Sequence, residues 1–446
     1  MDTPRLAATN LAVIVMAAGL GTRMRSAKPK HFHELLGRRM VDWVIAAGKA
    51  LEPERFVVVT SPESADEFEG VEVAVQPEPR GTGDAVAAAR EALDGFDGDI
   101  LVLSGDTPLL TREVLEGLVA EHRAAAADVT ILSFDPERPF PYGRVIRDES
   151  GSVQRVVEEG DATPEERDVR ELNSSIYVLC AKPLWAAVER LTPQNAQGEL
   201  YLTDTVEHVL AAGGTAAAYR SPDPRAPEGV NTRADLASAA AVLRDRVNEA
   251  HMLAGVTIVD PQTAWIEAAV ELEQDAIVQP FTVLRGRTRV ASGAEVGPHV
   301  VAIDATIGHG VSVGPFCYLR PGTVLEAGSK AGTFVEIKNS RVGERTKVSH
   351  MSYIGDAEIG EDTNIAAGNI TANYPHAPDR PKGKTTIGRN VRTAVHDAFV
   401  APVSVGDGAW IAAGTVITED VPPESLAGFP PRQVTKEGYL RGKRDD

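Results

Sequence analysis

A six-residue repeat runs through the second half of the chain and constrains its fold more than any other feature. Apolar or small residues recur at every sixth position, with five-residue steps in places. A period of six predicts a parallel β-helix of short strands on flat faces, each with one apolar side chain turned inward. A sandwich of alternating strands would show a period of two instead. The repeating positions are Val278, Leu284, Val290, Val296, Ala302, Ile307, Val313, Leu319, Leu325, Ala331, Ile337, Val342, Val348 and Ile354, then Ile387, Thr393, Phe399, Val405, Ile411 and Ile417.

The first half alternates short apolar runs with helical patterns. This alternation predicts an α/β domain with a mixed, mostly parallel, Rossmann-like sheet and helices on both faces. Ligands bind beyond the carboxyl ends of such strands, so we expect the loops after the strands to carry function. The predicted strands are Leu11–Met16, Phe56–Thr60, Val71–Gln76, Ile100–Leu103, Asp128–Leu132 and Ser174–Leu179, and the predicted helices include Thr82–Leu93 and Thr111–Ala126.

A glycine-rich turn follows the first predicted strand. Gly19 and Gly21 let the backbone turn sharply and come close to a ligand, and exposed backbone N–H groups in such a turn form an anion site. Arg23 and Lys30 add positive charge, which suits a nucleoside triphosphate. The dinucleotide and Walker motifs are excluded, because Met24 stands where the third glycine would be and no Gly-Lys-Ser/Thr follows. A plain strand–turn connection would not need these cations.

Two later loops add candidate ligand-binding residues. Gln76 offers an amide donor and an acceptor that suit the edge of a nucleobase, and Gly81 and Thr82 then open a helix. Asp106 ends the predicted strand Ile100–Leu103 in the sequence SGDTPL. A lone aspartate there is more often a turn or helix-cap residue. In this fold, followed by Thr-Pro, it is better interpreted as a ligand of Mg²⁺, which prefers oxygen ligands.

The length and composition bound the class of protein. The chain has 446 residues, enough for two or three domains. Its formal net charge of −19 argues against nonspecific nucleic-acid binding. Cys180 and Cys317 are too few for a cysteine metal cluster or a disulfide scaffold. No apolar stretch reaches the ~18 residues of a membrane helix, and a strand explains the N-terminal apolar run better than a signal peptide. We therefore expect a cytoplasmic protein that associates with neither membrane nor nucleic acid.

A helical segment joins the two halves. Thr232 and Asp235 fit a capping box, apolar residues follow at helical spacing, and Gly255 is a natural stop. We predict a first domain at residues 1–233, a helical linker at 234–254, and a β-helix domain at 255–446. The helix would act as a stiff spacer between the domains.

The β-helix half also carries candidate chemistry. Arg320 and Lys338 lie about one coil apart, and His350 follows an inward-facing valine. The repeat breaks between Pro375 and Lys384, directly after Asn373-Tyr374. A β-helix can be only an assembly module, and a lone histidine is usually structural. The clustering of cations, histidine, tyrosine and asparagine favours an acetyl transfer to an amine, with His350 as the general base and Glu336 positioned to orient it.

Several motifs in the first half resemble those of one enzyme family. The chain is similar, over residues 10–233, to the uridyltransferase half of the bacterial bifunctional N-acetylglucosamine-1-phosphate uridyltransferases/glucosamine-1-phosphate N-acetyltransferases. Ser104 stands where some members have tyrosine. Besides Lys30, the matching motifs are QPEPRGTG, SGDTPL, PYGRV, VVEEGDAT, ELNSS, NAQGELYLTD and EGVNTR.

The resemblance implies a set of roles in the first half. Arg23 and Lys30 would be catalytic, neutralising the triphosphate, while Asp106 and Asn231 would hold Mg²⁺. Gln76 and Gly81 would read uracil, and Gly143, Glu158 and Asn173 would bind the N-acetylglucosamine moiety. The implied UTP- and UDP-N-acetylglucosamine-binding residues are Met16, Ala17, Ala18, Gly19, Lys30, Gln76, Gly81, Thr82, Ser104, Gly105, Asp106, Gly143, Glu158, Asn173 and Asn231.

The resemblance likewise implies a left-handed β-helix acetyltransferase and a homotrimer whose sites lie between subunits. His350 would be the base. The implied glucosamine-1-phosphate-binding residues are Arg320, Lys338, Tyr353, Asn364 and Lys382, and the implied acetyl-CoA-binding residues are Ala367, Asn373, Tyr374 and Ala413. The whole enzyme would make UDP-N-acetylglucosamine, a cell-envelope precursor, from glucosamine-1-phosphate, acetyl-CoA and UTP. The alternative is a sugar-1-phosphate nucleotidyltransferase of other specificity with a β-helix used only for assembly or regulation.

Three departures from the family fall on the path of acetyl-CoA. The segment 375–384 is a few residues longer than in many members and holds three prolines. Val395 replaces a serine that many relatives place near the thioester, and the late arginine shifts to Arg432. We expect this chain to contact coenzyme A differently from its relatives.

Overall fold

The computed structural model describes residues 10–19, 21–136, 142–375, 381–428 and 434–439. The chain divides into two compact units, Met1–Leu243 and Arg244–Asp446. The first unit is built on a mixed sheet and the second on a β-helix.

Nine strands of the first unit form a sheet in the order β11-β7-β10-β6-β1-β4-β5, with β8 and β9 paired beside β10, and β2 pairs with β3 in a separate two-stranded sheet. β10 runs antiparallel to both neighbours, and the other strands along this path are parallel. The strands are β1 Leu11–Ala17, β2 Glu34–Leu35, β3 Arg38–Arg39, β4 Arg55–Thr60, β5 Glu72–Val75, β6 Asp99–Ser104, β7 Val129–Phe134, β8 Arg144–Arg147, β9 Val153–Val157, β10 Leu172–Cys180 and β11 Ala216–Arg220.

Helices cover both faces of this sheet. The α-helices are α1 Met40–Lys49, α2 Thr82–Ala88, α3 Arg112–Ala124, α4 Pro164–Arg167, α5 Ala181–Val188, α6 Asp204–Ala211 and α7 Arg233–Leu253. The predicted helix over residues 82–93 is shorter than expected, because the chain tightens after Ala88 into a 3₁₀ turn at Glu91–Leu93.

Alternate residues of the central strand β1 enter two separate cores. Leu11, Val13 and Val15 pack with α1 and α3, whereas Ala12 and Ile14 pack with α2, α5 and α6. Side chains alternate across a strand, so a strand covered on both faces must be apolar throughout. This is why the run at residues 11–16 has no polar alternation, and it confirms the doubly covered α/β sheet.

The long helix α7 begins where the sequence predicts. The amide of Asp235 donates to Thr232 Oγ1 at 3.2 Å, and the amide of Thr232 donates to Asp235 Oδ2 at 2.8 Å. These reciprocal bonds are a capping box with aspartate at its acidic position. The helix ends at Leu253, two residues before Gly255, whose φ is +95°.

The second unit is a parallel β-helix, as predicted. Its strands stack into three sheets, β12-β15-β18-β21-β24-β27-β30, β13-β16-β19-β22-β25-β28-β31-β33-β36 and β14-β17-β20-β23-β26-β29-β32-β34, and β35 pairs with β37. Their bounds are β12 Thr257–Ile258, β13 Trp265–Ile266, β14 Glu271–Leu272, β15 Ile277–Val278, β16 Val283–Arg285, β17 Arg289–Val290, β18 Glu295–Val296, β19 Val301–Ile303, β20 Thr306–Ile307, β21 Ser312–Val313, β22 Tyr318–Leu319, β23 Val324–Leu325, β24 Lys330–Thr333, β25 Glu336–Lys338, β26 Arg341–Val342, β27 Lys347–His350, β28 Tyr353–Gly355, β29 Ala357–Ile359, β30 Asn364–Ile365, β31 Ile370–Ala372, β32 Thr385–Ile387, β33 Ala398–Val400, β34 Val403–Val405, β35 Trp410–Ile411, β36 Val416–Ile417 and β37 Leu426–Ala427.

Every repeating position is buried. The apolar members form one continuous core from Val278 to Ile417, and Thr393 is buried beside them. Each coil turns three small or apolar side chains inward, one from each face, which is the physical origin of the six-residue period. The six-residue repeat is interrupted between β31 and β32 by the segment 375–384. The amide of Gly383 donates to Asn373 O at 3.0 Å, which joins the two ends of this segment. Residues 376–380 of this segment and Arg432 lie outside the described residues.

Candidate functional sites

A turn at the carboxyl end of β1 positions the first cluster of charged side chains. Gly21 has a φ of +60°, in the left-handed region that glycine adopts without strain. A Cβ at this position would lie 2.3 Å from the Cβ of Lys30. The chain therefore folds back so closely that Lys30 packs on the glycine turn, and only glycine fits there.

Four polar side chains converge beside this turn, and we call them the Lys30 cluster: Arg23, Lys30, Asp106 and Asn231. The Lys30 ammonium is buried, donates to Asn231 Oδ1 at 2.7 Å and forms an ion pair with Asp106. Arg23 donates to the same Asn231 oxygen at 2.8 Å. The amide of Val230 donates to Asp106 O at 2.8 Å, which joins the loop after β6 to the loop before α7.

The electrostatics of the Lys30 cluster keep Asp106 ionised. Burial alone would raise the pKa of this carboxyl group. The charge of Lys30 and hydrogen bonds from Lys30 and Ser104 outweigh burial and lower the pKa to about 2. Burial lowers the pKa of the neighbouring His31 to about 4, so this imidazole is neutral near pH 7. The cluster therefore holds two cations and one carboxylate at neutral pH.

A second group of polar atoms lies after β5. Gln76 is buried, and its amide nitrogen donates to Asp84 Oδ2 at 2.8 Å and to Gly81 O at 3.2 Å. Gly81 has a φ of +120°, and a Cβ there would lie 2.5 Å from Leu200 O. The start of α2 thus packs against the segment before α6, and the hydrogen bonds to Gly81 and Asp84 fix the Gln76 amide beside the first turn of α2.

Both groups line one cleft of about 450 Å³. Of the residues implied for UTP, Ala17 and Gly105 fall outside this lining. Gly21 and Thr22 of the glycine-rich turn also line the cleft, and the sequence did not single out the remaining lining residues, His31, Pro79, Ala85 and Glu199. The predicted residues that line the cleft are Met16, Ala18, Gly19, Arg23, Lys30, Gln76, Gly81, Thr82, Ser104, Asp106 and Asn231.

The residues implied for the sugar form a neighbouring group. The amide of Asn173 donates to Gly143 O at 2.8 Å, and a Cβ on Gly143 would lie 3.4 Å from the Glu158 carboxyl carbon. Burial raises the pKa of Glu158. Tyr142 OH accepts from the amide of Gly229 at 2.8 Å, which ties this group to the loop that carries Asn231.

In the β-helix, one face gathers three side chains implied for the acetyl acceptor together with Asn373, which was implied for acetyl-CoA. We call it the acceptor face: Arg320, Lys338, Tyr353 and Asn373. Lys338 pairs in register with Gly355 on the next coil, and Arg320 donates its amide to Ile337 O at 2.8 Å, so the two cations lie one coil apart. A Cβ on Gly355 would lie 2.4 Å from Tyr353 Oη and 2.8 Å from Asn373 Nδ2. The glycine leaves the room that these two polar groups occupy.

Acidic partners balance the cations of the acceptor face. Asp356 accepts from Asn373, and from Asn339 at 2.6 Å. Burial would raise the pKa of Asp356, but these hydrogen bonds and the charges of Lys338 and Lys382 outweigh it and lower the pKa. Glu336, which was expected to orient His350, forms an ion pair with Arg320 at 2.9 Å instead.

A column of residues one coil apart lies at the corner after β27. We call it the corner column: His350, Ala367, Val395 and Ala413. Backbone hydrogen bonds of 2.9 to 3.1 Å connect successive members: the amides of Gly368, His396 and Gly414 donate to the carbonyl oxygens of His350, Ala367 and Val395, respectively. His350 ends β27 and Tyr353 begins β28, so the column adjoins Tyr353 of the acceptor face.

The remaining predicted residues lie around this corner. Asn364 pairs with Lys347 on the coil of His350. Tyr374 is 76% exposed, and Lys382 lies over its ring at 5.5 Å from the centroid. Val395 is 45% exposed, so its side chain is open to a ligand.

Comparisons with known proteins agree with both units. A MobA-like NTP transferase domain matches residues 13–211. The bifunctional protein GlmU of Trichlorobacter lovleyi is 44% identical over 98% of this chain and 99% of its own length. The proteins of the same name from Caldanaerobacter subterraneus and Mycobacterium tuberculosis are 43% and 44% identical, over 96% and 97% of this chain and 97% and 92% of their own.

The chain belongs to the GlmU family. Both units are included in the similarity, so the chain is a bifunctional enzyme with uridyltransferase and acetyltransferase activities, and the nucleotidyltransferase domain lies in its first unit. The resemblance inferred from the motifs is thereby confirmed. None of the helices in the described ranges combines the length and the apolar composition that crossing a bilayer requires.

Proposed function

We propose that the two sites described above carry the two reactions of this bifunctional enzyme. It makes UDP-N-acetylglucosamine: the second unit transfers an acetyl group from acetyl-CoA to glucosamine-1-phosphate, and the first then transfers a uridyl group from UTP to N-acetylglucosamine-1-phosphate. The observation that supports this assignment best is the convergence of Arg23, Lys30, Asp106 and Asn231 in one cleft beside a glycine turn.

In the uridyl transfer, a phosphate oxygen of the sugar phosphate attacks the α-phosphorus of UTP. A new P–O bond forms, and pyrophosphate leaves with the electrons of the broken P–O bond. A phosphate is already a nucleophile at neutral pH, so no general base is required. Arg23 and Lys30 place two positive charges at the turn that receives the triphosphate, and they neutralise charge that develops during transfer. The amide nitrogen of Gln76 is held by Asp84 and Gly81, so this side chain would present its amide oxygen to the uracil edge.

The residues present fit a magnesium ion. Asp106 and Asn231 offer a carboxylate and an amide oxygen, and both oxygens contact the same ammonium group of Lys30. Two hard oxygen donors that face one cation are a suitable donor set for Mg²⁺, which takes one or two protein ligands and completes its shell with water and phosphate. When bound, Mg²⁺ would supply further neutralisation of the phosphates.

The sugar would lie beside Gly143, Glu158 and Asn173. The side-chain nitrogen of Asn173 is buried and has no hydrogen-bond partner among the described residues. A buried donor without a partner costs about 1–3 kcal/mol, so a ligand oxygen that accepts from it would be favoured. We assign this donor to a hydroxyl or acetamido oxygen of the sugar.

In the acetyl transfer, the acceptor face would bind the phosphate of glucosamine-1-phosphate through Arg320, Lys338 and Lys382. Tyr353 and Asn373 would hold its hydroxyl groups, and Asn364 and Tyr374 would complete the site. Ala367 and Ala413, both small residues of the corner column, would leave room for acetyl-CoA.

His350 is the proposed base. It is exposed at the corner, where the amine of a sugar bound on the acceptor face would come close. The amine attacks the thioester carbonyl carbon, the C–N bond forms, and the C–S bond breaks to release coenzyme A. The proton lost by the amine passes to the imidazole, the side chain that most often serves as a general base near neutral pH.

The second unit also supports a homotrimer. Exposed rings stack up one corner of the β-helix, with centroid separations of 4.8 Å between Phe281 and His299, 4.9 Å between His299 and Phe316, and 5.2 Å between Phe316 and Phe334. Exposed aromatic surface in a continuous strip is typical of an interaction surface. We assign it to contacts between copies of the chain, and the molar mass in solution tests this.

Separate assays of the two reactions test the proposal. UTP and N-acetylglucosamine-1-phosphate with Mg²⁺ should release pyrophosphate, and acetyl-CoA with glucosamine-1-phosphate should release free coenzyme A. Pyrophosphate release without coenzyme A release, in a folded protein, would leave the β-helix as a module for assembly or regulation.

A further inference from the structure

Three side chains of types that can ligate metals meet where β6 begins and β10 ends, at the end of these strands away from the cleft. We call them the Asp99 cluster: Asp99, His122 and Cys180. Asp99 is the first residue of β6, whose other end, Ser104, lines the cleft. Cys180 is the last residue of β10 and pairs in register with Asp99. His122 reaches them from the last turn of α3.

The distances in the Asp99 cluster match those that a shared metal ion requires. His122 Nε2 lies 3.7 Å from Cys180 Sγ and 3.6 Å from Asp99 Oδ1. All three ligand atoms lie within 4.8 Å of one another. Two ligands of a tetrahedral Zn²⁺, bound at about 2.0–2.3 Å, are about 3.5 Å apart by simple geometry. The two measured separations therefore leave room for an ion between the ligand atoms.

Hydrogen bonding explains part of the same geometry, because the Cys180 thiol is within hydrogen-bond distance of His122 Nε2 at 3.7 Å and of Ala127 O at 3.6 Å, but it does not explain the approach of Asp99. A nitrogen–oxygen separation of 3.6 Å is too long for a hydrogen bond. His122 is only 2% exposed, so its Nε2 atom has little access to water. Its Nδ1 atom lies 2.9 Å from Thr130 Oγ1. Nδ1 can thus carry the ring proton and donate to Thr130, which leaves the lone pair of Nε2 facing Asp99 and Cys180.

The arrangement also differs from a nucleophile–base–orienter triad. In such a triad the nucleophile and the carboxylate contact opposite nitrogens of the imidazole. Here the thiol and the carboxylate both face Nε2, while a threonine holds Nδ1. Donors that converge on one point are typical of ligands rather than of a proton relay.

We propose that Asp99, His122 and Cys180 form a binding site for a soft divalent metal ion, Zn²⁺ above all. One carboxylate oxygen, one imidazole nitrogen and one thiolate give three protein ligands of the types that Zn²⁺ selects, and water supplies the fourth. Neighbouring groups orient two of the ligands, as in known zinc sites: Thr130 fixes the imidazole, and Arg123 donates to the second oxygen of Asp99 at 2.9 Å.

The site would tie α3 to two strands of the sheet without touching substrates. Its thiolate and imidazole also separate it chemically from the Lys30 cluster, whose protein donors are oxygens and which suits Mg²⁺. We therefore expect the metal to raise the stability of the fold rather than to enter either reaction.

Cobalt(II) binding to the purified, untagged full-length protein tests the proposal, because Co²⁺ bound to a thiolate absorbs in the near ultraviolet. The wild type should bind Co²⁺ with this absorption in a ratio of about one per chain, and Zn²⁺ should abolish it by displacement. Cys317→Ser is the matched control, since Cys317 is the only other cysteine and is buried in the β-helix. This variant and Asp106→Ala should keep the absorption.

Cys180→Ser should lose the absorption entirely, and His122→Gln should bind Co²⁺ at least about tenfold more weakly. Zn²⁺ should raise the melting temperature of the wild type and of Cys317→Ser but not of Cys180→Ser. Circular dichroism shows whether each variant is folded. If His122→Gln fails to fold, the result for Cys180→Ser, which exchanges one small side chain for another, tests the proposal by itself. Equal absorption in Cys180→Ser, or no thiolate absorption in the wild type, would overturn the proposal.

Discussion

The side chains of the Lys30 cluster pair with one another before any substrate binds. Lys30 contacts both Asp106 and Asn231, and Arg23 contacts Asn231. A buried ion pair is costly to break on one side only, since the remaining charge is left without a partner. Each member of the cluster thus holds the others in place, and a single substitution should disturb binding and geometry together.

Asp106→Ala and Asn231→Ala should each lower uridyl transfer by at least about 100-fold, because each removes an oxygen proposed for Mg²⁺ and one of the two partners of Lys30. Magnesium titration of the initial rate measures the effect, and the rate of acetyl transfer is the internal control. An Asp106→Ala variant with an unchanged rate and magnesium requirement would show that the metal lies elsewhere.

His350→Ala should lower acetyl transfer by about 10² to 10⁴, the usual contribution of a general base. Uridyl transfer should be unchanged, since His350 lies in the other unit. The pH dependence of kcat/KM is the decisive measurement: the acidic limb of the profile should disappear in the variant. A profile that keeps this limb would assign the base to another group.

Gly21→Ala should lower activity more than the strain of a positive φ at residue 21 would by itself. The new Cβ would collide with the Cβ of Lys30 at 2.3 Å and displace that side chain. Gly70→Ala is the matched control, because Gly70 has a similar φ of +68° but nothing within 4 Å of its missing Cβ. The control should lose about 1 kcal/mol of stability and keep its activity, whereas Gly21→Ala should also lose uridyl transfer. Equal activities in the two variants would contradict this.

At the level of secondary structure elements, one buried carboxylate joins four strands of the first unit's sheet. Glu171 directly precedes β10 and accepts from Arg147 in β8 at 2.7 and 2.8 Å, from Ser133 in β7 at 2.7 Å, and from Arg220 in β11 at 3.3 Å. Burial would raise its pKa, but Arg147 and Ser133 outweigh burial, and the net pKa is lowered.

Glu171→Gln should lower the free energy of unfolding by about 2 kcal/mol at pH 7, the scale of hydrogen bonds to a charged group. At a pH above 4.5, the ordinary pKa of a glutamate, a carboxylate whose pKa is lowered in the folded state stabilises the fold. This contribution is lost as the pH falls through the folded-state pKa. The difference between variant and wild type should therefore shrink as the pH falls below 4.5. Urea denaturation at pH 7 and at a series of pH values below 4.5 measures it, and a difference independent of pH would rule out the ion pair as its cause.

At the scale of the whole molecule, each unit has its own cores. Residues 11–226 form the two cores of the sheet, and residues 256–421 form the core of the β-helix. A unit that encloses its own hydrophobic core is expected to fold alone.

A fragment of residues 1–233 should keep uridyl transfer, and a fragment of residues 255–446 should form trimers and keep acetyl transfer. Rates of both reactions and the molar mass by light scattering test this. The full-length chain is the control for each rate. A folded first fragment that is inactive with UTP, Mg²⁺ and N-acetylglucosamine-1-phosphate would show that the predicted domain boundary is wrong.

The local pattern of residues was enough to predict both folds, because burial imposes a period on each. The six-residue repeat follows from three inward positions per coil, and the unbroken apolar run of β1 follows from helices on both faces. Glycine turns and helix caps depend on contacts a few residues away, so Gly21, Thr232 and Asp235 could also be interpreted from the sequence.

The contacts between distant residues could be decided only by the tertiary structure. Lys30 meets Asn231 across 201 positions, and no local pattern specifies such a pair. For the same reason the sequence did not indicate that His31 would be buried in the cleft or that Glu336 would pair with Arg320 rather than orient His350. Cys180 appeared isolated until the antiparallel pairing of β10 with β6 placed it opposite Asp99. Burial at a regular period leaves a pattern of apolar residues in the local sequence. Contacts between distant side chains instead depend on how the strands pair and on the conformations of the loops.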